Sequence, residues 1–224
     1  MTETLRLHYA PDNASLCVRL ALETLGVVYE TVLVDRSCCA QRTADYLRLN
    51  PNGLIPTLET PDGVMFETGA ILLWLSDQHP GKLMPRPDAR ERTKALTWLV
   101  WLSNTLHPSL RMMFYPDVYA EDEEALRRVT RKRILQDLEI LNDVWPEIGQ
   151  HAAIQCYCAP MLRWLGLYGG ETDWYDLSQF PNLLTFAKEF EALPPALTLA
   201  KAEGLNQTPF SNPSLPNPPE GSAL

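Results

Sequence analysis

The chain has no apolar run approaching the roughly 18 residues that a bilayer span needs. It also lacks a basic segment leading into an apolar stretch near its N-terminus, so neither a membrane helix nor an export signal is expected. Positive charge is in deficit: 19 Lys and Arg stand against 28 Asp and Glu, a net charge of −9, which makes nucleic acid a poor partner. Cysteine is sparse and odd in number. Cys17, Cys38, Cys39, Cys156 and Cys158 have neither the spacing of a zinc site nor a C-x-x-C dithiol, so no metal is expected and a reducing compartment leaves them as thiols. Their reading is structural or incidental, with Cys38 and Cys39 the alternative candidates for an exposed reactive pair. Together these absences imply a soluble, cytoplasmic chain.

What is present is enough apolar material, 46% of 224 residues, for a sizeable core in one large domain or two small ones. Residues 5–9 and 29–34 read as strands separated by a helical pattern over 15–25, which Gly26 stops. A helix over 40–49 follows. Short strands at 55–59 and 64–66 are joined by the turn sequence Pro61-Asp62-Gly63, and an apolar helix starts near Thr68. This β-α-β, α, β-β-α order is that of a thioredoxin-like domain, assigned to residues 1–79. Three prolines and a glycine mark a linker at 80–88. From 89 to 208 the periodicity is helical, with helices expected at 90–107, 131–148, 153–165 and 183–193, giving an all-α domain. The Pro-, Ser- and Asn-rich segment 209–224 has almost nothing to bury and is expected to be flexible.

The most informative stretch is Asn50-Pro51-Asn52-Gly53-Leu54-Ile55-Pro56-Thr57-Leu58, followed by Glu67-Thr68. Pro56 has no N–H to give a sheet and belongs on an edge or in a tight turn, the cis form included. Its neighbour Ile55 then keeps a free N–H and C=O, which could pair with an extended peptide as one more strand would. Unpaired N–H groups opening the helix at Thr68 favour an anion, while Glu67 can accept an ammonium. A small peptide with both charges at one end, such as glutathione with its γ-glutamyl group, fits that pattern.

From Leu5 to about Leu205 the chain resembles the cytosolic glutathione S-transferase superfamily, especially its bacterial members. The resemblance rests on Tyr9-Ala10-Pro11 with Val18-Arg19-Leu20-Ala21-Leu22-Glu23, the Asn50 to Leu58 stretch, Glu67-Thr68, Met161-Leu162-Arg163-Trp164 and Phe180-Pro181-Asn182-Leu183, all in family order. It implies an α/β thioredoxin-like domain joined to an all-α bundle, with glutathione as co-substrate. The implied glutathione-binding residues are Leu54, Ile55, Pro56, Glu67 and Thr68.

Family members lower the pKa of the glutathione thiol with a hydroxyl or cysteine near the start of the first helix, and the thiolate attacks an electrophile. Here the aligned positions hold Asp12 and Ala14, and an ionised Asp12 would repel a thiolate. The candidates that remain are Asn13, Ser15, Tyr9 and the backbone N–H groups opening that helix; Ser15 and Tyr9 read equally as cap and packing. A second departure precedes Arg163-Trp164, where relatives place a capping Ser or Thr with an Asp and this chain has Ala152 and Gln155. Such a loss costs about 1 kcal/mol and leaves that helix reliant on the packing of Ile154, Tyr157, Met161 and Trp164.

For the second substrate, the resemblance points to an apolar pocket lined by His107, Arg111, Met112, Phe114 and Tyr115, although Met112 and Phe114 at this spacing are more often core and Arg111 also reads as a solvated surface charge. Arg163 and Trp164 read as structural. Two functions follow: an enzyme using the glutathione thiolate on a small hydrophobic electrophile, as in detoxification, or a catalytically weak binding or carrier protein of the same fold. The resemblance also implies a homodimer.

Overall fold

The computed structural model describes residues 4–223. Its first part is a four-stranded sheet in the order β2-β1-β3-β4, built from β1 (Leu5–Tyr9), β2 (Tyr29–Leu33), β3 (Thr57–Thr60) and β4 (Gly63–Phe66). β1 and β2 run parallel through α1 (Ser15–Leu25), whereas β3 lies antiparallel to β1 and to β4. α1 buries Leu16, Cys17, Val18, Leu20, Ala21 and Leu22 and ends on Gly26, whose φ of +64° closes the left-handed turn that a side chain would oppose. α2 (Ala44–Leu49) and α3 (Thr68–Gln78) complete the thioredoxin-like arrangement.

The remainder is helical: α4 (Arg92–Trp101), α5 (His107–Phe114), α6 (Glu123–Ile148), α7 (Ala152–Leu165), α8 (Pro181–Glu191) and α9 (Pro194–Glu203). α7 is its axis. Every residue from Ala153 to Leu165 except Gln155 is buried, and α1 packs directly on both α7 and α9. α7 has no side-chain cap; instead Ala153 N–H donates to the carbonyl of Leu83 at 2.9 Å, so the segment entering the helical part serves as its cap. Arg92 ties the same segment down, donating to the Pro85 carbonyl at 2.8 Å and to Asp77 at 2.6 Å.

Four expectations need correction. The helix expected at 40–49 is confined to Ala44–Leu49, because 3-10 turns occupy Arg36–Cys38 and Ala40–Arg42. α6 starts eight residues before the expected 131, where the Asp122 side chain accepts from Ala125 N–H; its polar first half hides the apolar period. The helix expected at 183–193 is α8, and a further helix that was not expected, α9, follows it. Pro194 and Pro195, which stop α8 from continuing, suit the first turn of α9, where no N–H is needed.

Lastly, the segment expected to be a flexible tail is packed. Phe210 is fully buried beside Phe190, and Glu191 accepts from Phe210 N–H, Ser211 N–H and the Ser211 hydroxyl. At Gly204, φ +65°, the chain turns so closely that a Cβ would lie 1.9 Å from the Asn217 carbonyl oxygen. The polar composition concealed this, since the anchoring is done by one phenylalanine, by main-chain groups and by single polar side chains such as Ser211 and Glu220.

Candidate functional site

A cavity of about 310 Å³ opens between the two parts of the chain. One wall comes from the turn after β1 (Asp12, Asn13, Ala14), the 3-10 turns (Arg36, Gln41, Arg42) and the loop before β3 (Gly53, Leu54, Ile55). The other comes from α5 and the turn after it (His107, Arg111, Phe114, Tyr115, Val118), with Trp164, Tyr168 and Gly169; Ala223 closes the rim.

Asp12 defines the floor. Its φ is +52°, an uncommon conformation for a residue with a side chain. The buried carboxylate accepts two hydrogen bonds from Arg163 at 2.8 Å each, one from Trp164 Nε1 at 3.0 Å and one from the Tyr168 hydroxyl at 2.5 Å. Its own N–H donates to Glu203. The carboxylate expected to repel a thiolate is thus paired with a buried cation, its charge spent on a bidentate ion pair and both oxygens filled. The same bonds give Arg163 and Trp164 the structural role expected of them.

Of the residues considered for the thiolate, the cavity keeps one. Ser15 is fully buried and donates to the Ala10 carbonyl at 3.1 Å, so it faces inward. Tyr9 is buried in the sheet and its hydroxyl donates to Glu220; burial and that carboxylate push its pKa up. Neither lines the cavity. The N–H groups of Leu16 and Cys17 are consumed by the Asn13 and Ala14 carbonyls. Asn13 does line it. Its Nδ2 donates to the Pro11 carbonyl at 2.7 Å and to the Ala223 carbonyl at 3.3 Å, and Arg36 donates to the same Ala223 oxygen at 2.8 Å and to Asn13 Oδ1 at 3.1 Å. Two donors, one of them cationic, thus converge on a single acceptor at the cavity wall.

Leu54 and Ile55 are in the wall, and the Ile55–Pro56 bond is cis. The Leu54 carbonyl accepts from Tyr46 and Asn50, which fixes the loop, while the N–H and C=O of Ile55 have no partner among the described residues. Glu67 and Thr68 lie at the start of α3 beyond the cavity lining, as does Pro56. Glu67 is exposed with φ +71°, and no side chain caps α3 there. Strain at a non-glycine residue beside an open helix N-terminus is a feature of ligand-holding segments.

On the helical wall, His107 follows a five-residue π-helical turn, Leu102–Leu106, that joins α4 to α5. Its Nδ1 is 3.0 Å from the Tyr157 hydroxyl and its ring lies between Tyr157 and Trp164. Burial first, and the Arg111 cation second, bring its pKa down to about 4, so the imidazole is neutral at physiological pH. Of the residues named for a second substrate, Arg111, Phe114 and Tyr115 line the cavity beside His107, whereas Met112 does not. The sequence reading missed Arg36, Gln41, Arg42, Val118, Tyr168 and Gly169. For the arginines a signal existed, two cations seven residues or fewer apart in an acidic chain, but nothing local linked them to residue 111.

The glutathione S-transferase N-terminal domain family matches residues 14–78. The chain is 26% identical to glutathione S-transferase GST-4.5 of Xanthomonas campestris pv. campestris over 211 residues, covering 90% of this chain and 100% of that one. It is 27% identical to GstA of Escherichia coli O157:H7, again over 90% and 100%. Over 90% of its length the chain is thus similar to bacterial glutathione S-transferases, and its residues 14–78 match the N-terminal domain of that family. The structure of a sphingomonad glutathione S-transferase complexed with glutathione superposes with a TM-score of 0.75 at 27% identity, over 90% of this chain and 100% of that one. Among the described residues no side-chain hydroxyl or thiol at the start of α1 faces the cavity.

Proposed function

We propose that the chain is a glutathione transferase, with glutathione on the thioredoxin-like wall and an electrophile against α5. The observation that carries this reading is the unpaired backbone edge of Ile55 in the cavity wall, which offers one N–H and one C=O to the cysteinyl backbone of the peptide. The γ-glutamyl carboxylate then takes the N-terminus of α3 at Thr68 and the ammonium takes Glu67. Asn13 and Arg36 hold the sulfur in place of the Ala223 carbonyl. Donation from Asn13 and the nearby cation both favour the anion, lowering the thiol pKa. The thiol proton leaves to solvent, the sulfur lone pair forms a bond to the electrophilic atom, and the displaced electrons go to the leaving group or the addition acceptor.

A carrier function is the second reading, favoured by the inward-facing Ser15. Titration of the bound thiolate by its absorbance separates the two: the transferase requires a thiol pKa below that of free glutathione in the wild type and a rise towards it in Asn13→Ala. A wild-type value equal to free glutathione establishes the carrier. Glu67→Ala should weaken glutathione binding by roughly ten- to a hundredfold, the loss of one charge-assisted contact of about 1.5–3 kcal/mol; unchanged affinity by calorimetry refutes the ligand placement. The working form is a homodimer in the cytoplasm, supported by the apolar surface around Trp74, Trp98 and Val100.

A further inference from the structure

We infer that the second ligand is an anion: an aromatic or other flat apolar body carrying a carboxylate, with the carboxylate on Arg111. This rests on the reading that glutathione occupies the thioredoxin-like wall. The chain carries a net charge of −9, yet three arginines, Arg36, Arg42 and Arg111, line one cavity. The carboxylate in the same lining, Asp12, is already neutralised by Arg163. Among the described residues none of the three arginines has a carboxylate within ion-pair distance: Arg36 binds Asn13 and the Ala223 carbonyl, Arg42 the Asn52 carbonyl, and Arg111 the Tyr119 hydroxyl. Like charges gathered in a cleft with low-dielectric walls raise the local concentration of anions.

Glutathione, with two carboxylates and one ammonium, answers the positive charge on its own wall. Arg111 stands on the other wall. It is half-buried, its Nε donates to Tyr119 at 3.2 Å and its guanidinium carbon lies 5.5 Å from the centre of the Tyr115 ring, so the group is held in place with its two terminal nitrogens uncommitted. A fixed guanidinium fork matches a carboxylate bidentately, which an ordinary solvated arginine does not do as well. Around it Phe114, Tyr115, Val118 and Tyr168 supply the apolar faces for a flat body, and the neutral His107 adds no competing charge.

The test is calorimetry with 4-nitrobenzoate and its neutral isostere 4-nitrobenzamide on the glutathione-saturated protein. The wild type should prefer the carboxylate by about tenfold or more, the range of one charge-assisted pair. Arg111→Gln should bring the two ligands to parity while glutathione affinity stays unchanged, and Arg111→Lys should retain part of the preference. Parity in the wild type, binding of neither ligand, or a preference that survives in Arg111→Gln overturns the assignment. So does a matching loss of glutathione affinity, which would place Arg111 on glutathione itself. If the wild type binds no glutathione, the transferase reading fails by itself, and the same ligand pair measured on the glutathione-free protein still decides the role of Arg111.

Discussion

Asp12 shows how far a residue's meaning depends on what the fold brings to it. In the sequence it stands between Pro11 and Asn13 as a charge beside the thiol position; in the fold its four acceptor contacts come from residues 151 to 156 positions away. Nothing local announces them, so the residue was legible as a departure but not as a lock between the two parts of the chain. Asp12→Asn should cost about 3–5 kcal/mol, the range for breaking a buried ion pair by removing one partner, because Arg163 is left fully buried and uncompensated. Denaturant midpoints measure this, and a loss within the range of a surface substitution would show that Arg163 finds other partners. His107 was legible through the proline that follows it, yet its neutrality was not, since that comes from burial and Arg111. With its pKa displaced downward from 6.5 to about 4, the folded state binds fewer protons there than the unfolded one. Its contribution is complete above about 6.5 and is lost as pH falls towards 4. The full displacement corresponds to about 3 kcal/mol, an upper bound because the ring borders the cavity. Glu203, raised to about 7 by burial, acts in the opposite sense over an overlapping range. The difference between wild type and His107→Gln cancels it: acidification from pH 7 to 4.5 should destabilise the wild type more than the variant, and parallel curves would contradict the assignment.

Elements were readable wherever one apolar period ran without interruption. α1, α3 and α7 carry dense apolar faces and clear stops, and the β3–β4 hairpin carries its turn sequence, so their existence followed from the chain alone. The polar first turns of α6 escaped the reading, and so did the whole of α9, which opens on two prolines directly after α8. The C-terminal segment is the strongest case. Residues 205–223 hold one large buried apolar anchor, Phe210, and otherwise bind through scattered polar contacts: Ser211 and the Phe210 N–H on Glu191, Glu220 on Tyr9, and the main-chain carbonyls of Pro209 and Ser214, which accept from Arg163. Main-chain acceptors are present in every sequence and carry no signal. Phe210→Ala should therefore cost about 3–5 kcal/mol, as for a fully buried aromatic in a core, with limited proteolysis showing earlier cleavage beyond Gly204. A loss near zero in the denaturant midpoint would mean that the segment does not contribute to stability.

For the whole molecule, the cavity is a property of assembly: its two walls come from residues 12–55 and 107–169, and only the first is in a stretch whose spacing suggests a ligand. The chemistry of the second wall, and the gathering of Arg111 with Arg36 and Arg42 of the first, became visible once α5 was set opposite the loop before β3. The same logic extends one level up. The rings of Trp98 and Trp101 meet at a tilt with centroids 5.2 Å apart without being fully buried, Val100 is 52% exposed, and Leu73 and Trp74 of α3 are also only partly covered. Under the proposed dimer these partly covered apolar side chains are the surface that the partner covers. Light scattering at micromolar concentration should give twice the chain mass of 25.3 kDa. Val100→Arg, which places a charge in the centre of that patch, should shift the mass towards a single chain without lowering the glutathione affinity of each protomer, because Val100 is not in the cavity lining. A wild type that scatters as one chain refutes the dimer. If Val100→Arg remains double in mass, the protomers meet through another face.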